Sequence, residues 1–99
     1  MNQVALAARI AEASALRHTP AGIPAIDLLL EHESEQQEAG QARQVAMAIK
    51  AVAFGPVAEA LRSQALGSQW RFNGFLAAAR GGKHPVLHIQ SFEQDKSFE

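Results

Sequence analysis

The stretch RQVAMAIKAVAFGPVAEALR, residues 43–62, changes character halfway along its length. Its first half alternates apolar residues with others, which is typical of a β-strand with one buried face. The alternation slips by one residue near Ala51, as a β-bulge would produce. Pro56 suits the first turn of a helix, and the segment PVAEALRSQ is predicted to be helical, with Gly67 as its stop. The stretch therefore predicts a strand followed directly by one short helix.

The sequence before this stretch predicts a loop, a strand and a hairpin turn. Residues 4–16, VALAARIAEASAL, are compatible with a helix because alanine favours helices, and with a strand because alternate residues are apolar. LRHTPAGIP then predicts a loop with a tight turn at residues 20–22. AIDLLLEHES, residues 25–34, predicts a strand, and Gly40 lies in a polar segment that suits a hairpin turn.

Two more strands are predicted after the helix. WRFNGFLAAAR, residues 70–80, alternates along its length, and Gly74 marks a bend or a close approach of another backbone. GGKHP predicts a hairpin loop, and VLHIQSF predicts the last strand. With residues 4–16 taken as a strand, the order is that of the OB-fold. The sequence therefore predicts an all-β fold with one short helix: a five-stranded Greek-key OB-fold barrel with the helix between strands 3 and 4.

Length and composition predict a small cytoplasmic protein. The 99 residues are expected to form one domain, with a core over residues 2–93 and a polar tail over residues 94–99. A chain of this size gains stability by association, which is compatible with a dimer. The absence of cysteine fits a reducing compartment. Neither a signal-peptide pattern nor a run of about 20 apolar residues occurs, so no membrane partner is predicted.

Charge is balanced overall but unevenly distributed. The net charge is −1, with nine Lys and Arg against ten Asp and Glu, so no overall basic character indicates a nucleic-acid partner. Residues 27–38 contain five acidic and no basic residues, whereas Arg71, Arg80 and Lys83 follow one another without an acid between them. This pattern is compatible with two zones of opposite sign and with an ordinary solvated surface.

No catalytic, metal or cofactor site is predicted. The sequence has no nucleophile, base and orienting residue at a recognisable spacing. His84 and His88 are four residues apart, but Pro85 and the apolar alternation indicate a strand, on which they would be about 13 Å apart and unable to share an ion. GGKH lacks the upstream glycine and the Ser or Thr of a phosphate-binding P-loop.

Several blocks of the sequence resemble the primosomal replication protein N (PriB) family, homodimeric relatives of single-stranded DNA-binding proteins. The blocks are LRHTPAGIP in the first loop, LEHES in the second strand, EAGQARQV across the hairpin, GFLA in the fourth strand and VLHIQSFE in the last. They occur in the family's order and cover roughly residues 2–93. The resemblance implies a dimeric, non-enzymatic OB-fold that binds single-stranded DNA (ssDNA). It also implies that the protein stimulates the PriA helicase, among other primosome proteins, when stalled replication forks restart.

The resemblance and the predicted loops together give a set of candidate ssDNA contacts. The family has basic residues at the positions of Arg17 and His18 in the first loop and of Arg43 in the third strand. The final hairpin is a loop that OB-folds commonly use to contact an oligonucleotide. Phosphate-tracking by Arg43 and this hairpin is the expected mechanism. The complete set is Arg17, His18, Arg43, Lys50, Arg71, Arg80, Lys83 and His84.

Trp70 and Phe75 are the candidate stacking residues. Trp70 shares a strand face with Phe72, and aromatic pairs at this spacing fill a core or a dimer interface more often than they stack on bases. Phe75 lies on the opposite face of the strand and is compatible with either role.

The chain departs from the better-known members of the family at positions that would contact DNA. Those members have aromatic residues where this chain has Gln41 and Ala46, an arginine where it has Glu33, and a longer, lysine-rich final hairpin. Stacking contributes about 1–3 kcal/mol per base, so binding weaker than that of the most basic members is expected. The alternative function is a protein-interaction module that docks on a replication helicase with little DNA binding of its own.

Overall fold

The computed structural model describes residues 1–95, in which strands close into a barrel. The elements are β1 (Val4–Ala13), β2 (Arg17–His18), β3 (Pro24–Glu38), β4 (Gln41–Phe54), α1 (Pro56–Arg62), β5 (Gln69–Ala78) and β6 (Pro85–Gln94). The sheet order is β1-β5-β6-β4-β3-β2, and β1 also pairs with β3, which closes a five-stranded barrel. All of these pairs are antiparallel except β4 with β6. The predicted OB-fold barrel with one helix is confirmed. The helix lies between β4 and β5 because the two-residue strand β2 adds one to the count.

β1 resolves the ambiguity of residues 4–16 in favour of a strand. Its first half pairs with β5 and its second half with β3, so pairing with two strands overrides the helix propensity of its alanines. Ala8 and Ile10 are fully buried on the inner face. The alternation breaks at Glu12 because the pairing shifts by one residue between Ile10 and Glu12.

The bulge predicted near Ala51 is wrong. β3 and β4 pair without any shift from Ala25 opposite Phe54 to the end of the hairpin. Val52 points outward but is apolar, which breaks the alternation. It lies beside His88 of β6 and is only 7% exposed. The apolar run is therefore explained by the burial of the outward-pointing Val52 and not by a change of register.

Helix α1 closes one end of the barrel. Pro56 is at its start, and Ala58 and Leu61 are buried against the strands. The helix ends at Arg62, earlier than the predicted stop at Gly67. The side chains of Ser63 and Gln64 donate hydrogen bonds to the carbonyl oxygen of Ala60, the group that a further helical turn would use.

The hairpin of β3 and β4 extends beyond the barrel. We call residues 32–47 the arm; it contributes to an overall shape of 49 × 33 × 22 Å. The predicted turn at Gly40 is confirmed, since Ala39 and Gly40 both have positive φ, as the tight primed hairpin turns require. At the other end of the sequence, β6 reaches Gln94, the first residue of the predicted tail; residues 96–99 of that tail lie outside the described part of the chain.

Gly74 lies where β5 approaches β6 most closely. The pairing shifts between Asn73 and Gly74, and a Cβ atom on Gly74 would collide with the backbone carbonyl of His88. The bend and close backbone approach predicted at this glycine are therefore confirmed.

We expect Gly74→Ala to lower the free energy of unfolding by about 1–3 kcal/mol, because the β6 backbone must move to admit a methyl group. Urea denaturation followed by circular dichroism measures this change. Gly82→Ala is the control, since a Cβ there would meet Ala79 at an ordinary contact distance of 3.4 Å. Equal stability of the two variants would contradict the close approach.

Candidate nucleic-acid interface

An open groove crosses the outward face of β3 and β4. It consists of two adjoining cavities of about 610 and about 510 Å³, which share Lys50 and Val86 in their walls. The walls come from the end of β1, from the middle of β3 and β4, and from the start of β6 with the loop before it. They comprise residues 12–14, 27–29, 47–51, 79, 82 and 84–86. We call the two cavities together the β3–β4 groove.

Lys50 lies at the junction of the two cavities. Its neighbours Ile49 and Ala51 pack against or within the barrel core, so the regular alternation of β4 turns Lys50 outward. Its side chain is exposed, and no ion pair within residues 1–95 involves it. The sequence left the face of this residue open, and the structure places it in the groove.

The loop between β5 and β6 forms one rim of the groove. It is closed by backbone hydrogen bonds from Ala79 to His84 and from Gly82 to Ala79. Arg80, Lys83 and His84 are exposed, and His84 lines the second cavity. Among the described residues, no ion pair engages any of these three side chains. The loop therefore brings predicted cations to the edge of the groove that holds Lys50.

Arg17, at the other side of the groove, is paired with a carboxylate. Its Nε and Nη2 atoms donate hydrogen bonds to Oδ2 and Oδ1 of Asp27, at 2.8 and 3.1 Å. Hydrogen bonding to Arg17 lowers the pKa of Asp27 below its ordinary value of 3.8, against the smaller opposing effect of burial and with help from charge attraction. His18, the next residue, is exposed and pairs through its backbone with Pro24.

Two further predicted arginines are also paired. Nη1 of Arg43 lies 3.0 Å from Glu38 near the tip of the arm, and Nη2 of Arg71 lies 2.7 Å from Glu93. Arg43 is seven residues from Lys50 on the same regular strand, so the two side chains point to opposite faces. The structure therefore does not bring Arg43 and Lys50 together in the groove.

The arm carries most of the acidic zone of residues 27–38, although Asp27 and Glu31 precede the arm. Glu31, Glu33 and Glu35 occupy alternate positions of β3 and so share the face on which Lys50 lies. Arg9 of β1 pairs with Glu31 at 2.7 Å and lies 3.9 Å from Glu33. Arg9 was not among the predicted residues, and its opposition to Glu31 follows only from the β1–β3 register. The arm therefore carries mostly acidic side chains, whereas the walls of the groove combine Lys50 with the carboxylates of Glu12 and Asp27.

The two candidate stacking residues lie in different environments. Trp70 is half-buried: its ring meets Phe92 edge to face at 5.1 Å, and its Nε1 donates a hydrogen bond to Ser68. Phe75 points outward from the barrel and is stacked on His88, with 4.9 Å between ring centroids. Phe54 of β4 follows His88 at 6.1 Å and is 42% exposed.

Phe54 and His88 were missed as site residues by sequence reasoning. Phe54 has the same parity as Lys50 on β4, and this signal would have placed both on one face if the predicted bulge had not been inserted between them. His88 was considered only as a metal ligand with His84. In the part of the chain that the structure describes, no three His, Asp or Glu residues are grouped so as to hold a metal ion. Nor does a helix of that part reach the length and apolarity of a membrane span.

Comparison with known proteins identifies the family. A family model described as another single-strand binding protein family matches residues 2–91. The replication restart protein PriB of Bordetella pertussis is 50% identical over 91 residues, which cover 91% of this chain and 85% of the relative. The chain belongs to the PriB family. The PriB of Neisseria gonorrhoeae is 42% identical over 96 residues, covering 96% of this chain and 95% of that protein.

Solved structures agree with the assignment to PriB. The PriB structure from Ralstonia solanacearum has a TM-score of 0.88 and 35% sequence identity, and the match covers 95% of this chain and 97% of that one. A single-stranded DNA-binding protein from Thermus aquaticus has a TM-score of 0.75 at 21% identity, over 97% of this chain and 50% of that one. The latter shows a shared fold. The predicted PriB resemblance is confirmed, whereas the eight ssDNA contacts and the two stacking residues stay predictions.

We expect Arg17→Gln to raise the pKa of Asp27 toward its ordinary value, because the hydrogen bonds that favour the carboxylate are lost. A carboxyl group with a lowered folded-state pKa stabilises the fold above its unfolded pKa, and this stability disappears as the pH falls through the folded value. The variant should therefore be slightly less stable than the parent at pH 7 and equally stable at a pH below the folded pKa of Asp27. NMR titration of the Asp27 carboxyl carbon, with urea denaturation at pH 7, measures both effects. An unchanged Asp27 pKa would contradict the pairing.

Proposed function

We propose that this protein is a non-catalytic ssDNA-binding accessory factor of replication restart and that the strand lies in the β3–β4 groove. The observation that carries the proposal is the position of Lys50, an exposed cation at the junction of two open cavities on the outward face. The cations of the β5–β6 loop stand at the rim of the same groove. Membership of the PriB family, whose relatives bear the name replication restart protein, supports the biological role.

The groove combines charge with apolar surface in the way that ssDNA requires. Phosphates would contact Lys50 and then Arg80 and Lys83, releasing counterions from the strand. Leu29 and Val86 offer apolar walls to sugars and bases between these contacts. The carboxylates of the arm disfavour phosphates along its length, which directs the strand into the groove.

In this proposal Arg17 is a further phosphate contact that becomes available when it releases Asp27. Its pair with Asp27 is half exposed, so the guanidinium can exchange the carboxylate for a phosphate at small cost. Since the pair lies at the side of the groove away from the β5–β6 loop, such an exchange would extend the contact across the whole face. Arg43 and Arg71 would have to give up their carboxylates in the same way.

A homodimer is part of the proposal and is supported by an open strand edge. β3 pairs with β1 only from Arg9 onward, so in the described part of the chain no strand pairs with residues 4–8 on the edge away from β5. Nδ1 of His32 lies 2.6 Å from the carbonyl oxygen of Ala7, so a second β1 would approach this edge at residues 4–6, where Ala5 has a small side chain. Two copies related by a two-fold axis would present two grooves, and this avidity would strengthen a weak single site.

Sedimentation equilibrium tests the dimer directly. At tens of micromolar protein we expect a mass of about twice 10.6 kDa, because pairing satisfies the open backbone groups of both β1 strands. A mass of 10.6 kDa over the whole concentration range would contradict self-association.

The PriA helicase is the proposed protein partner, and the cytoplasm, at replication forks, is the proposed location. The protein would hold ssDNA beside the helicase and stimulate unwinding, without chemistry of its own. A second candidate function, docking on the helicase with little DNA binding, is favoured by one observation: the side chains of Arg17, Arg43 and Arg71 are already occupied by carboxylates. Unwinding of a forked substrate by the helicase, with and without this protein, tests for stimulation.

Fluorescence anisotropy with a labelled oligonucleotide of about 30 nucleotides tests the groove, at low and near-physiological salt. We expect saturable binding that weakens as the salt concentration rises. Lys50→Ala should weaken binding several-fold. It should also make the slope of log binding constant against log salt concentration less steep by about 0.7 for each phosphate contact that is lost. The combined variant Arg80→Ala, Lys83→Ala should do the same to a greater extent. Arg62→Ala is the matched control, since this exposed cation lies on α1 and outside the groove.

Asp27→Asn should raise the affinity for ssDNA, in contrast to the variants that remove a cation. It removes the carboxylate that occupies Arg17, so tighter binding and a steeper salt dependence are expected. If Lys50→Ala and Arg62→Ala lost the same amount of ssDNA affinity, the proposed location of the site would be wrong. No saturable binding of the parent protein at low salt would overturn DNA binding and leave helicase docking as the function.

A further inference from the structure

One side chain covers part of the open edge of β1. Nδ1 of His32 lies 2.6 Å from the carbonyl oxygen of Ala7, and Nε2 lies 2.8 Å from Oγ of Ser34. Because a carbonyl oxygen only accepts hydrogen bonds, Nδ1 carries a proton and donates it, and in the neutral ring Nε2 accepts from the Ser34 hydroxyl. Oγ of Ser34 in turn accepts a hydrogen bond from Gln36 at 3.1 Å. The half-buried His32 ring is therefore held from two sides beside the edge.

His32 lies at the point where β1 and β3 separate. Pairing between the two strands begins with Arg9 opposite Glu31, a pair that is also joined by an ion pair of 2.7 Å. Residues 4–8 of β1 pair with β5, whereas β3 continues into the arm. The His32 ring spans the gap between the diverging strands. Water can satisfy a carbonyl at an open edge, so the hydrogen-bonding needs of Ala7 do not by themselves require this side chain.

The backbone of β1 presents every second residue to the open edge. β1 pairs with β5 without a register shift from Val4 to Arg9. In a regular antiparallel strand the two backbone groups of a residue point the same way, and the direction alternates along the strand. Since the carbonyl group of Ala7 faces His32, the backbone groups of Ala5 and Gln3 also face the open edge. Of these carbonyl groups, that of Ala7 is the one occupied by His32.

The beginning of this edge is fixed by Asn2. Its Nδ2 donates a hydrogen bond to the carbonyl oxygen of Leu76 at 2.7 Å, and its Oδ1 accepts one from the backbone N–H of Leu76 at 2.9 Å. Leu76 is the residue that the β1–β5 register places opposite Asn2. The side chain thereby holds the backbone along β5 from residue 2 onward. The edge that a second strand can use therefore covers residues 2–6.

A second β1 can be placed against this edge in several registers. With Val4 on a two-fold axis, residue 3 of each copy exchanges hydrogen bonds with residue 5 of the other, and Ala7 takes no part. With Leu6 on the axis, residue 5 would need the backbone groups of residue 7 of the other copy, where the His32 ring lies. With Ala5 on the axis, residue 3 would likewise face residue 7. Only the register about Val4 leaves the hydrogen bond between His32 and Ala7 intact.

We propose that His32 determines the register in which two copies of this chain pair through β1, with Val4 of one copy facing Val4 of the other. The inference rests on the homodimer of the proposed function and deepens it by naming the residue that fixes its geometry. His32 is a positioning residue, because it acts by occupying the carbonyl oxygen of Ala7 and needs no contact with the second copy. It also shortens the open edge, which leaves little unpaired backbone for an unrelated strand.

Disulfide formation between single-cysteine variants measures the register, because the chain has no cysteine of its own. Val4→Cys and Leu6→Cys each place a thiol on the axis of one register, at a Cα separation of about 4.5 Å, which a disulfide can span. The proteins are oxidised with glutathione disulfide, and non-reducing electrophoresis measures the rate of dimer formation. Each rate is divided by the rate at which the same thiol reacts with a small disulfide reagent. The corrected rate for Val4→Cys should exceed that for Leu6→Cys by about five-fold or more.

Substitutions of His32 in both cysteine backgrounds test its role. His32→Ala should lower the ratio of the two rates by about five-fold, because the register about Leu6 then no longer breaks a hydrogen bond. His32→Asn should restore the ratio, since its amide nitrogen takes the place of Nδ1. Ser34→Ala is the matched control: it removes the partner of Nε2 but leaves the contact with Ala7, so the ratio should stay close to that of the parent.

His32→Gln is a second test that does not depend on the stability of His32→Ala. Its amide takes the place of Nε2 and not of Nδ1, so the ratio should fall here as well. An unchanged ratio in either variant, in a protein that sediments as a dimer, would overturn the inference and leave the homodimer intact. Equal rates for Val4→Cys and Leu6→Cys in the parent background would do the same. A parent protein that sediments as a monomer would instead refute the homodimer of the proposed function, and this inference with it.

Discussion

Closure of the barrel by β1 is the constraint on which the rest of the structure depends. The strand pairs with β5 through its first half and with β3 through its second, and a register shift between Ile10 and Glu12 lets it bend from one partner to the other. Once the barrel is closed, the alternation of every strand has an inside and an outside. Lys50 and Phe54 face outward because Ala51 and Ala53 are required inside.

In the proposed function, carboxylates and phosphates compete for the same arginines. Arg17 has a carboxylate partner beside the groove, whereas Lys50 has none among residues 1–95. A chain with a net charge of −1 can therefore still bring Lys50 and the cations of the β5–β6 loop to one groove, which Glu12 and Asp27 also line. In that proposal, the affinity for ssDNA depends on how readily the half-exposed pairs exchange their carboxylates for phosphates.

Local signals were sufficient to predict the turns, the start of the helix and most of the strands, but not the character of β1. The turns at Gly22 and Gly40, the helix start at Pro56 and the close approach at Gly74 each rest on the conformational properties of one or two residues. The pairing between segments that are distant in the sequence could not be predicted from such local signals. The character of β1 and the length of the β3–β4 hairpin depend on partners elsewhere in the chain, which an alanine-rich or polar segment does not reveal.

The candidate site could be predicted only in part for the same reason. The cations of the β5–β6 loop lie at the groove, as the position of this loop in an OB-fold indicates, whereas the outward face of Lys50 follows only from the regular β3–β4 register. The pair Arg71–Glu93 joins residues 22 apart, so it requires the β5–β6 register. Phe54 was missed because the apolar run around Val52 was interpreted as a bulge, which obscured the face on which its ring lies.

The most direct test of the central claim, that ssDNA lies in the β3–β4 groove, is NMR mapping of ¹⁵N-labelled protein during titration with oligothymidylate. We predict the largest amide shifts around residues 27–29, around residues 48–54 and in the loop of residues 79–84, with small shifts at the tip of the arm. Shifts concentrated on the arm, with the groove unaffected, would contradict the claim.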